Sequence, residues 1–151
     1  MSIQQFNKTQ WIKVLEDSSE SVGSFICDHS FQLWNMRLQL YKHGIPSGSE
    51  LIQIELYSEQ AATSPIYTSN VVSLSDVTDQ ISGDYVLTWL RFDFDGVNIW
   101  ANEDYYIKIV TANYTRSADT YYLGFTLDYP TPINSHSDLY NGLKIQFYEK
   151  K

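Results

Sequence analysis

The sequence predicts an all-β fold, a two-sheet antiparallel β-sandwich. Three observations carry that expectation. Several stretches alternate apolar and polar residues at period two, as in Leu51-Ile52-Gln53-Ile54-Glu55-Leu56-Tyr57 and Leu90-Arg91-Phe92-Asp93-Phe94. Successive strand side chains point to opposite faces, so such runs build one apolar wall and one wet wall. Turn-forming Gly, Pro, Asp and Asn separate these runs at short intervals, and no stretch shows a convincing helical period.

Taken in order, Met1 to Thr9 is polar with a single Phe6 and reads as an arm. Gln10 to Leu15 is a first strand, with Trp11 and Ile12 as anchors. Residues 1–20 thus form arm and first strand, and residues 21–151 the sandwich, in a single domain. Asp17 to Ser21 is a loop by composition, and Ser24 to Asp28 a short strand. Phe31 to Tyr41 is the longest β pattern: Trp34, Met36, Leu38 and Leu40 share one phase, and Asn35, Arg37 and Gln39 the other. It ends at the turn His43-Gly44-Ile45-Pro46-Ser47-Gly48. Leu51 to Tyr57 turns Ile52, Ile54 and Leu56 inward. Ile66 to Leu74 is a weaker strand, followed by one helical turn with Ser75 as its N-cap. Tyr85 to Phe94 carries Leu90, Phe92 and Phe94 inward, and Asp95-Gly96 turns the chain. Glu103 to Ala112 buries Tyr105, Ile107 and Ile109. Thr120 to Asp128 buries Tyr121, Leu123, Phe125 and Leu127, and Pro130 and Pro132 stop it. Leu143 to Tyr148 closes the chain with Leu143, Ile145 and Phe147 inward. Eight or nine strands result, and the two-sheet jelly-roll type is the commonest arrangement at that count.

Composition bounds the function. A chain of 151 residues holds one domain with a full core. Its net charge of −8 argues against nucleic acid and anionic membrane as partners, since both are polyanions held by Lys and Arg. One cysteine, Cys27, allows no intrachain disulfide, so packing alone must hold the sandwich. Met1 to Gln5 lacks a charged region leading into an apolar run, so no signal peptide is expected. No apolar stretch approaches the roughly 20 residues of a spanning helix.

No constellation predicts an enzyme. Asp28-His29-Ser30 joins the three triad residue types, but triads are assembled across a fold by geometry, and adjacency in sequence carries little weight. His29, His43 and His136 show no local metal-ligand spacing. Asp93-Phe94-Asp95-Gly96-Val97-Asn98 has a faint calcium-loop look through Asp93, Asp95 and Asn98, without the closing acid and helices of a full loop. The simpler reading is a hairpin turn, with no metal and no cofactor. The outward aromatics are the more telling set. Tyr85, Trp89, Tyr106, Tyr122 and Tyr148 fall on the wet phase of their strands, with Arg91 and Asn35 as polar neighbours. They are candidates for contacts within the chain, for a subunit contact, or for sugar stacking on Trp89 with Tyr106 or Tyr122.

From Phe25 onward the order of features resembles a known group. A long strand ends in Lys42-His43-Gly44-Ile45-Pro46-Ser47-Gly48. Leu51, Ile54 and Leu56 follow, then Pro65, then Trp89, Phe92 and Phe94, and last the segment Asn102 to Ile107. This looks like the jelly-roll accessory domains found in secreted and surface proteins and in bacteriophage virion proteins. With a polar arm and no leader, it resembles the decoration or head-fibre proteins of tailed phages in particular. The resemblance implies a non-enzymatic structural module of the virion, assembled in the host cytoplasm. It would be a homo-oligomer bound to other capsid proteins, with Phe6 and Trp11 as arm anchors. The alternative is a carbohydrate-binding module for surface or host attachment.

Overall fold

The structure, a computed structural model, describes residues 2–5, 11–15, 19–44, 48–59, 61–78, 86–117, 121–127, 132–133, 136–140 and 145–150. For residues 2–5, 11–13, 127, 132–133 and 136–140 it describes the backbone alone. The strands, in chain order, are β1 (Ser2–Gln5), β2 (Trp11–Val14), β3 (Ser19–Ile26), β4 (Phe31–His43), β5 (Leu51–Tyr57), β6 (Tyr67–Thr68) and β7 (Val72–Ser73). A 3₁₀ turn (Leu74–Asp76) follows, then β8 (Leu87–Ile99), β9 (Asp104–Ala112), β10 (Tyr122–Leu127), β11 (Pro132–Ile133), β12 (His136–Tyr140) and β13 (Ile145–Glu149).

They form two sheets. In the first, β1, β2, β10 and β4 run in that order. Strand β13 pairs with Leu33–Leu38 of β4, and β10 with Leu40–His43, so the two share one edge of β4 in tandem. The whole other edge is taken by β8, from Phe31↔Ile99 to Tyr41↔Leu87. The second sheet runs β11-β12-β3-β9-β5-β6, with β7 also on β5. Nearly every pairing is antiparallel; the exception is the single contact of β12 with β3 at Tyr140↔Gly23.

The facing walls hold the core. Leu33, Met36, Leu38, Leu40, Leu90, Phe92, Leu123 and Phe125 come from one sheet, and Val22, Ile52, Ile54, Leu56, Tyr105, Ile107 and Ile109 from the other. The period-two expectation holds at Ile54, Phe92, Ile107 and Phe125, all fully buried, and Ile145 packs against their cluster. Burying each large apolar side chain contributes roughly 1.5–3 kcal/mol, which is how a chain without a disulfide closes two sheets.

The two walls are also laced at one edge. The segment between β6 and β7 lies along the outer edge of β8: Asn70 donates its N–H to the Asp93 carbonyl at 3.1 Å, and its Oδ1 accepts the Asp93 N–H at 2.8 Å. On the other side of this crossing, Ser69 Oγ accepts the Ile54 N–H of β5 at 3.0 Å. The Tyr67 hydroxyl adds a bond to the Asn98 carbonyl at 2.9 Å.

Several expectations are corrected. Ser2–Gln5 of the expected arm forms a strand, paired with β2 through Ser2↔Val14 to Gln5↔Trp11. Ser19 to Ser21, expected as loop, belongs to β3, because β9 offers partners as far as Val110. The 66–74 strand is broken into β6 and β7, and Ser73, not Ser75, caps the 3₁₀ turn by accepting the Ser75 N–H at 3.2 Å. Asp95-Gly96 does not reverse the chain. It is a bulge inside β8, where Phe94, Asp95 and Gly96 stand against Trp34 alone between the pairs Asn35↔Asp93 and Leu33↔Val97. Positive φ at Asp95 (58°) and Gly96 (94°) makes this local bend. The bulge also flips the phase of β4: Leu33 is buried before it, Met36, Leu38 and Leu40 after it, and Trp34 is turned outward. Strands β11 and β12 lie in a segment where no further strand was expected.

Candidate functional site

The outer face of the six-stranded sheet gathers most of the sequence-predicted residues that remain exposed. Its rows follow from the register. Tyr148, Asn35 and Asp93 stand side by side on β13, β4 and β8; Gln146, Arg37 and Arg91 form the next row; Gln39 and Trp89 the third. Trp89 and Tyr148 are 37% and 38% exposed, and the bulged Trp34 is 45% exposed.

Two arginines organise these rings. The Arg37 guanidinium lies 4.5 Å from the centre of the Tyr148 ring, and that of Arg91 lies 4.8 Å from the centre of the Trp34 ring. Arg91 Nε also donates to Asp93 Oδ1 at 2.6 Å. Stacking of this kind is worth about 0.5–1 kcal/mol at an exposed site and fixes ring orientation. Asn35 is 1% exposed, although it belongs to the outward phase. Its Oδ1, Arg37 Nε and Gln39 Oε1 are buried with no hydrogen-bond partner among the described residues. Next to this face, Trp34, Phe147, Tyr148, Glu149 and Lys150 line an open groove of about 840 Å³.

The other predicted residues lie elsewhere. Tyr106 is half-buried on the outward phase of β9 in the second sheet, beside Tyr57 of β5. It therefore shares no platform with Trp89. Tyr57 itself is buried, and its hydroxyl donates to Glu55 Oε1 at 2.9 Å. Burial first, and then the Glu55 carboxylate, push its ionisation up to about 12. Tyr122, expected on the wet phase, is buried against Tyr41 and His43, with ring centres at 5.6 and 5.3 Å. Tyr41, Tyr122 and Val14 form a second small apolar cluster with Leu87. Tyr85, Phe6 and the Trp11 side chain lie outside the described residues.

The weak calcium candidates Asp93, Asp95 and Asn98 all lie on β8. Asp93 is engaged by Arg91, and Asp95 is the positive-φ residue of the bulge. Among the described residues, no three His, Cys, Asp or Glu side chains are grouped to hold a metal ion. Asp28-His29-Ser30 is wired structurally. His29 Nδ1 meets Asp28 Oδ1 at 2.8 Å and its Nε2 meets Glu149 Oε1 at 2.7 Å. Both ring nitrogens are thus held by carboxylates, which raise the imidazole pKa above its ordinary value. The Ser30 hydroxyl accepts the Ala101 N–H at 2.9 Å instead of facing His29. Cys27, half-buried against the core, has its thiol pKa raised by desolvation and by the neighbouring Asp28. That is the opposite of the shift an activated nucleophile needs.

Sequence reasoning missed Trp34 and Lys150. The pattern placed Trp34 with the core residues of β4, and only the unusual Asp95-Gly96 pair on β8 signals the bulge that turns it out. No comparison with protein-family models or with curated proteins matches this chain.

Proposed function

We propose that this protein is a non-enzymatic structural and interaction module, a bacteriophage virion subunit of the capsid-decoration, cement or head-fibre kind, that works through its exterior. One observation carries the reading: Trp34, Trp89 and Tyr148 project from a rigid sheet face, two of these rings already oriented by arginines. Tyr, Trp and Arg are the side chains that anchor partners at low entropic cost. The order of turns and core positions from Phe25 onward, which resembles jelly-roll virion domains, supports the same assignment. The structural employment of His29 and Ser30 favours binding over catalysis. A surplus of acidic over basic residues keeps a subunit soluble at high copy number.

The test is solution mass by light scattering, combined with co-sedimentation on capsids lacking this protein. An integer multiple of the protomer mass together with saturable capsid binding supports the reading. A monodisperse monomer that leaves the capsids in the pellet without it overturns it.

A second reading, a carbohydrate-binding module for surface attachment, is favoured by the groove beside Trp34 and Tyr148. Saccharide sites combine an aromatic platform with polar groups nearby; here Lys150 and Glu149 line the groove, and Arg37 and Arg91 stack on its rings Tyr148 and Trp34. The two readings are compatible in a virion subunit that also adheres to surface glycans.

A further inference from the structure

Arg37 and Arg91 are direct cross-strand partners. Like charges placed opposite one another destabilise a β-ladder. The chain has 10 Lys and Arg against 18 Asp and Glu, so no surplus of cations forces the two together. They escape each other by turning onto Tyr148 and Trp34, the two rings that edge the groove. A third cation, Lys150, lines the groove; its backbone N–H donates to the Gln32 carbonyl at 2.8 Å, while its side chain is exposed. In the same row as Tyr148, Asn35 is all but fully buried, and among the described residues its Oδ1 and the Arg37 Nε beside it are unpartnered. Of the two carboxylates at hand, Glu149 is held by His29 at 2.7 Å and Asp93 by Arg91 at 2.6 Å.

We propose that an acidic saccharide binds here, with a sugar ring in this groove on Trp34 or Tyr148 and its carboxylate reaching the neighbouring guanidiniums of Arg37 and Arg91. The groove volume of about 840 Å³ falls within the roughly 300–1,000 Å³ typical of small-ligand sites. The Asp93 contact with Arg91 is half exposed and weak, and a guanidinium has five donors to share. A second copy of the chain is a poorer occupant. A two-fold interface applies the same patch to itself and would press each arginine pair onto its copy.

This inference rests on the carbohydrate reading, and the experiment separates the two. Calorimetric titration of the full chain would use three probes: a galacturonate hexasaccharide, sialyllactose and neutral maltohexaose. Binding of either acidic probe at least about tenfold tighter than maltohexaose supports the proposal, and the stronger of the two tells uronate from sialate. Arg37→Gln and Arg91→Gln would then each bring the acidic probe down toward the neutral level, with unchanged melting temperature confirming the fold. Binding of maltohexaose as tight as that of the acidic probes, or arginine variants that bind like the parent, overturns the proposal and leaves carbohydrate binding standing. No binding of any probe overturns both.

Discussion

The Tyr114 hydroxyl donates to the Leu15 carbonyl at 2.8 Å and accepts the Leu123 N–H at 3.1 Å. The Leu15 N–H meanwhile donates to the Leu123 carbonyl at 2.8 Å. Tyr114 is buried, so its hydroxyl acts as an extra rung where β2 leaves β10. Tyr114→Phe strands a carbonyl and an N–H away from water. Leaving buried groups unsatisfied costs about 1–3 kcal/mol. Urea unfolding of the variant is expected to show a lower midpoint at unchanged slope.

The phase flip at the bulge makes a contrasting pair of substitutions. Phe92 is fully buried and Trp34 is nearly half exposed. Phe92→Ala is expected to cost about 3–5 kcal/mol. Trp34→Ala, losing only its stack with Arg91 and partial burial, is expected to cost about 1 kcal/mol or less. Equal losses in denaturant titrations would mean that Trp34 stays in phase with Met36.

Gly96 carries two constraints that substitution can separate. Its φ is 94°, and a Cβ there would meet Lys150 Cδ at 2.6 Å. The Lys150 side chain is flexible and exposed and swings away cheaply. The backbone conformation cannot yield. Gly96→Ala is therefore expected to lose about 1–2 kcal/mol, and most of that loss should persist in a Lys150→Ala background. Full rescue by Lys150→Ala in thermal melts would assign the cost to the contact instead.

His29 predicts a signed pH dependence. Its folded pKa is raised above 6.5 by Asp28 and Glu149. The stabilisation is thus fully present below the unfolded value and lost as pH rises through the folded one. Asp28 behaves oppositely. Its pKa is lowered below 3.8, chiefly by the His29 hydrogen bond, so its contribution is present above that value and lost as pH falls through the folded one. Relative to His29→Gln, the parent is expected to hold an advantage near pH 5 that shrinks by pH 9. Parallel stability curves for the two proteins would remove the His29 link between Asp28 and β13.

Much of the sandwich was legible because period two is enforced by burial. At Ile52, Ile54 and Leu56, or Leu90, Phe92 and Phe94, a one-residue slip would put every apolar side chain in water. The same rule fails at Trp34, since a bulge changes the phase without changing the composition. It fails again at Tyr122, whose outward phase is buried by the cluster with Tyr41 and Val14. Ser19 to Ser21 read as loop because small polar residues carry no period, yet β9 supplies the ladder. The face bearing Arg37, Arg91 and Tyr148 was half visible. Alternation put the three on the wet side, but which strands lie next to one another is a long-range fact that local spacing does not encode.

The Asn70 clasp on Asp93 has a consequence for how copies of this protein can meet. An amide and a carbonyl that would otherwise greet a foreign strand are already satisfied at mid-edge. Growth of one molecule's ladder into the next is blocked there, which guards against fibre-like fusion along that stretch. A contact made along that stretch must then be stitched through side chains, and that kind of contact can be undone.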